Sequence, residues 1–106
     1  MNTAERSIVP LAVLNNVQLK FREVDTMLKP LRHMRDIKNS EHWMSRQDIM
    51  KMHEVYREIY MELLREAAVC KQRKKVTTQF WNSYNKFNSY QENIVGNITM
   101  YSLMYA

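Results

Sequence analysis

The chain contains little that bends or cross-links a backbone: one glycine, two prolines and one cysteine in 106 residues. Sheet-rich folds spend Gly, Pro, Asn-Gly and Asp-Gly on their tight turns, so this scarcity excludes a fold with many turns and leaves a few long helices. A single glycine also rules out a glycine-rich phosphate cradle. Cys70 has no second cysteine to pair with, which excludes an internal disulfide, suits a reducing compartment and leaves an intermolecular bridge open. Long apolar runs are missing too. The longest uncharged run, Asn93 to Ala106, is 14 residues against the ~20 that a membrane helix needs. At the amino end Arg6 precedes the apolar Ile8 to Leu14, but that stretch is short and holds Pro10. Asn15 and Asn16 follow it, with no small-residue cleavage pattern, which argues against a signal peptide. The expectation is a soluble intracellular protein, of the cytoplasm or of a host cell's cytoplasm or nucleus, in which the sequon Asn97-Ile98-Thr99 stays idle.

Chemistry-bearing clusters are equally sparse. Di-metal sites in helical bundles need Glu-x-x-His pairs, and none of His33, His42 or His53 stands three residues after a glutamate. No Cys/His spacing fits a metal. Cys70 has no base beside it and reads as a packed or idle thiol. These absences argue for a non-enzymatic protein with no metal, cofactor or small-molecule substrate.

What the sequence does have is helical periodicity. Apolar residues recur at three- and four-residue spacing in three stretches: Leu14, Val17, Phe21, Val24, Leu28, Leu31; Ile49, Met52, Tyr56, Ile59, Leu63; and Phe80, Tyr84, Phe87, Ile94, Ile98, Tyr101, with Gln91 interrupting the last. Such stripes bury one face of a helix against another. The spacing predicts an all-α fold, an antiparallel helical hairpin or a three-helix bundle of long amphipathic helices. At this length folding buries only about two-thirds of the chain's surface, so self-association would help it, and an oligomer is expected.

One domain spans residues 1–106. The first helix is expected over 7–38, opening near Ser7 with Pro10 in its first turn and kinked at Pro30, where the seam shifts phase toward Met34 and Ile37. The second is expected over 46–74, because Ser45 and Asp48 make a near capping box and Met44 and Ile49 a hydrophobic staple. Lys71 to Lys75 contain no breaker, yet the seam positions Glu66, Cys70, Arg73 and Thr77 lack large apolar side chains. A turn near Lys74 to Thr78 follows, with Val76, Thr77 and Thr78 weakening the helix. The alternative is one continuous helix of some 60 residues, about 90 Å long. The third helix is expected over 78–103, with Gly96 as an earlier stopping point.

Charge divides the chain. Beyond Lys75 only Lys86 and Glu92 are charged, and the third helix is rich in Asn, Ser, Gln and Tyr. Interface cores are poor in charge and rich in aromatics, so Phe80, Trp81, Tyr84, Phe87, Tyr90 and Ile94 are the candidate contacts to a protein partner or to a second copy in a homodimer. The central helix of a bundle would have the same composition. The leading functional reading is thus a protein-interaction or assembly module, such as a small accessory or inhibitor protein of a virus or mobile element. Two basic groups, Lys29, Arg32, His33, Arg35 and Lys38 and then Lys71, Arg73, Lys74 and Lys75, support the other reading: a nucleic-acid-binding protein, dimeric, contacting phosphates with its lysines and arginines and stacking nearby aromatics on bases. Either group also suits a helix carboxyl end electrostatically. Glu54, Glu58, Glu62 and Glu66 form a like-charged column on the second helix, to which Lys20, Arg22 and Lys29 of the first are candidate counter-charges.

Overall fold

The computed structural model describes residues 9–32 and 45–105, and within them the chain forms three α-helices and no strand. They are α1, Leu11–Arg32; α2, Arg46–Arg73; and α3, Thr78–Tyr105. None is long and apolar enough to cross a membrane. Ser7, Met34, Ile37 and the ends expected for the first helix lie outside the described residues. Pro10 stands just before α1, its carbonyl accepting from Val13 N at 3.0 Å, so a residue with no N–H of its own costs the helix nothing there.

The amino end of α2 carries the predicted capping box, while Met44 of the expected staple lies outside the described residues. Ser45 Oγ accepts from Asp48 N at 3.1 Å while the Asp48 carboxylate accepts from Ser45 N at 3.0 Å, closing a capping box. The bond from Ser45 N, and then a second that Ser45 Oγ donates to the same carboxylate at 2.9 Å, hold the Asp48 carboxyl below its ordinary range. Because the native value is the lowered one, this contribution to stability is present above the ordinary carboxylate range and is lost as pH falls through the native value.

The chain reverses between α2 and α3, so the continuous 60-residue helix is not what it adopts. Lys74 takes the left-handed region, at φ 54° and ψ 35°, and Lys74 N and Lys75 N donate back to the carbonyls of Lys71 and Cys70. This is a Schellman-type stop made without glycine. Thr77 then caps α3: its Oγ1 accepts from Phe80 N at 3.1 Å, and its own N–H reaches Cys70 Sγ at 3.4 Å. Three of the four weak seam positions are thereby explained. Cys70 and Thr77 are buried against each other inside the turn, and Ala67, one position past Glu66, takes the core place instead.

Helices α2 and α3 form an antiparallel hairpin, on which Cys70 meets Thr77 at one end and Asn97 Nδ2 donates to Met52 Sδ at the other. Helix α1 lies across both and runs antiparallel to α2, since Phe21 stacks on Tyr60 (ring centroids 4.2 Å apart) while Asp25, further along α1, pairs with the earlier His53 at 3.6 Å. It therefore runs parallel to α3, and Lys20 Nζ donates to Asn88 Oδ1 at 3.1 Å. The product is a slender bundle, 57 × 20 × 16 Å. Its core is the three seams: Val17, Val24, Leu28 and Leu31 meet Ile49, Tyr56, Ile59 and Leu63, and these meet Phe80, Phe87, Ile94, Ile98 and Tyr101.

An aromatic stack joins the helices at mid-height. Tyr56 is fully buried between Phe21 of α1 (5.4 Å) and Phe87 of α3 (5.1 Å). Burial drives its phenol far above the usual tyrosine range, with nearby Glu23 adding to the effect. The hydroxyl finds no hydrogen-bond partner among the described residues, and a buried polar group left unpaired costs about 1–3 kcal/mol. Replacing Tyr56 with Phe keeps the ring and deletes the unpaired group, so the variant is expected to be more stable by about 1 kcal/mol, raising the melting temperature by about 4–8 °C. A lower melting temperature would show that the hydroxyl is satisfied.

Gly96 does not stop α3, which continues to Tyr105. It is exposed, its φ is not positive, and a Cβ built on it meets nothing within 4 Å. Glycine inside a helix costs roughly 0.5–1 kcal/mol relative to alanine. Gly96→Ala should accordingly stabilise the protein by about that amount in a denaturant titration; destabilisation would mean that the open space above Gly96 is used by something outside the chain.

Candidate functional site

The turn brings together the most polarised stretch of the chain. Between Ala67 and Gln91 stand five of the sixteen lysines and arginines and none of the eleven acids. The remaining eleven of each sign cancel, so the formal net charge of +5 is equal to the charge of this stretch. Lys71, Arg73, Lys74 and Lys75 are all exposed around the turn, and Lys86 lies exposed further along α3. Four cations gather there because α2 ends there: the negative end of its macrodipole favours positive side chains, and their stems stay in water.

Two helices also begin at this end. α3 starts at Thr78, and the parallel α1 starts at Leu11, neither with an acidic residue in its first turn. The positive dipole ends of both helices add to the field of the lysines rather than offsetting it. Thr78 and Gln79 are exposed beside them, and Trp81, in the first turns of α3, keeps 45% of its surface open. Its indole makes T-shaped contacts with Phe80 (5.3 Å, 69°) and Tyr84 (5.7 Å, 87°), so one large, half-open ring packs against two neighbours six to ten residues along the chain from the four cations.

Lys29, of the other basic group, is not part of this end. The register set by Asp25 and His53 places exposed Lys29 near the start of α2, so the length of that helix, roughly 42 Å, separates it from the turn. His33, Arg35, Lys38 and the side chain of Arg32 lie outside the described residues.

The six candidate interface residues of α3 divide. Phe80, Phe87 and Ile94 are fully buried within the chain itself. Tyr84 and Tyr90 are partly buried against the same core, and burial raises the Tyr90 phenol. Only Trp81 is exposed. Packing inside one chain thus accounts for most of the charge-poor, aromatic character of this helix. Its outer face presents Asn82, Asn85, Ser89, Asn93 and Thr99 instead. The other exposed large apolar residues, such as Leu19, Val55, Met61 and Leu103, are spread over three helices, as on ordinary surfaces.

Glu54, Glu58 and Glu62 share an open groove on the outer face of α2 with Arg57, Met61 and Arg65, and Lys20 is turned to Asn88 instead. Composition alone did not separate Trp81 from the buried aromatics beside it. The signal that does is angular: Phe80, Phe87, Ile94 and Tyr101 are seven residues apart on one line, and Trp81 is a hundred degrees off it. The chain matches no protein-family model, no curated protein and no solved structure.

Proposed function

We propose that this protein is a non-enzymatic helical binding module whose ligand is the phosphate backbone of a nucleic acid, engaged by the end of the bundle where α2 turns into α3. One observation carries the reading: the whole net charge of the chain resides in an acid-free stretch whose four clustered cations, Lys71, Arg73, Lys74 and Lys75, are all exposed at one tip. Each cation that replaces condensed counterions on a phosphate gains their release, and no carboxylate between Ala67 and Gln91 opposes it. The test is binding of the full chain to nucleic acid as salt is raised. Retention at low salt that falls linearly on a log-log plot supports the reading, and no retention at about 50 mM salt removes it.

A second reading is assembly with a protein partner or a second copy through α3. Trp81 favours it, being a large aromatic left open on a helix of two charges. On this reading the mass in solution exceeds one chain, or a partner is retained, independently of salt.

A further inference from the structure

We infer that the tip recognises single-stranded nucleic acid, with Trp81 as the platform for one unstacked base. The inference rests on the polyanion reading and adds the class of strand. Phosphate contacts alone do not distinguish a duplex from a single strand, because both present the same charged backbone. The aromatic does. In a duplex the base faces are covered by their neighbours, whereas a single strand can lay a base on an exposed ring.

Trp81 is the one aromatic of α3's amino half that is exposed rather than spent on the core, and it makes T-shaped contacts with the rings of Phe80 and Tyr84. A ring fixed in advance loses little freedom when a base settles on it. It sits within two helical turns of Lys74 and Lys75 in sequence, with exposed Asn85 four residues on, on the same side of α3, as a hydrogen-bonding neighbour. Cations tracking a backbone beside a stacking ring are the combination by which proteins hold single strands without reading sequence.

The experiment uses the full chain with Trp43→Phe, so that Trp81 is the sole tryptophan, and three probes: an oligothymidylate of about ten nucleotides, a duplex of equal length, and inorganic polyphosphate. Oligothymidylate is expected to quench Trp81 and to bind more tightly than the duplex. In the wild-type background Trp81→Ala is expected to weaken oligothymidylate binding by about 5- to 150-fold while changing polyphosphate binding by less than about twofold, and Trp81→Tyr to keep most of the affinity. Equal loss on polyphosphate, tighter duplex binding, or no effect of Trp81→Ala overturns the stacking inference and leaves the polyanion reading standing. Failure of all three probes to bind at low salt overturns both.

Discussion

Leu28→Asp is expected to leave the chain unfolded at room temperature. Leu28 is completely buried on the seam of α1, toward its carboxyl end, and α1 is the helix with the least extensive packing on the other two. An aspartate there is an ionised carboxylate without a partner, or a protonated one without hydrogen bonds, and either costs several kcal/mol. The lost leucine contacts add about 2–5 kcal/mol, against a total stability of ~5–15 kcal/mol for a domain of this size. Ile59→Asp, on the seam of α2 and 4% exposed, is expected to do the same. The controls are Leu19→Asp and Val55→Asp, on the open faces of the same two helices at 58% and 44% exposure, which should shift stability by no more than about 0.5 kcal/mol. Circular dichroism at 222 nm and a melting curve read all four. Cooperative melting of both seam variants at the wild-type temperature would disprove the bundle.

The contrast between Leu28 and Leu19 shows how much of the fold was readable from spacing. Three- and four-residue recurrence depends only on helical geometry, so it identified Val24, Leu28, Ile59, Leu63, Phe87 and Ile98 as buried before any neighbour was known. Ser45 and Asp48 were legible for the same reason: a capping box closes within four residues. Handedness at Lys74 was not, because a lysine in the left-handed region gives no sign in sequence of the kind a glycine gives. Gly96, the alternative stopping point, is passed over as the expected span 78–103 requires: its freedom is not used, and Ile94 and Ile98 on either side of it are packed in the core. Relations between distant segments were the least accessible. That Phe21 lies on Tyr60, and that α1 begins beside the turn, depends on which way a helix crosses its neighbours, and no local spacing encodes that.

The candidate site was half legible. The charges of Lys71 to Lys75 and the aromatics after them stand side by side in sequence, but which aromatic faces solvent depends on where α3 begins its turn. Thr77 as cap sets that phase. With it Phe80 goes inward to full burial and Trp81 outward, so a shift of one residue would exchange them. Composition alone assigned all six residues of α3 to one surface, and the fold assigns three of them wholly to the core.

Replacing Lys71, Arg73, Lys74 and Lys75 together with glutamine is expected to remove most nucleic-acid binding while leaving the fold intact. All four are exposed, and the C-cap bonds of the turn are made by backbone groups that glutamine retains. Its melting temperature should therefore stay close to the wild type's, apart from the lost favourable interaction with the end of α2, a few tenths to about 1 kcal/mol per cation at most. Binding should respond far more. Each lost phosphate contact lowers the slope of log K against log salt by about 0.9 on duplex DNA and about 0.7 on a single strand, so four contacts remove up to about 3 to 4 units of slope. The loss should be the same for every base sequence, because a backbone contact carries no sequence information. Lys29→Gln and Lys51→Gln, toward the opposite end, are the matched controls: they change net charge but not the tip, and should leave the slope nearly unchanged. A fourfold variant that binds with the wild-type slope would show that the charge at the turn serves only the carboxyl end of α2. Equal losses from the tip and from the control lysines would instead mean that the ligand senses the charge of the whole molecule and that the turn is not its site.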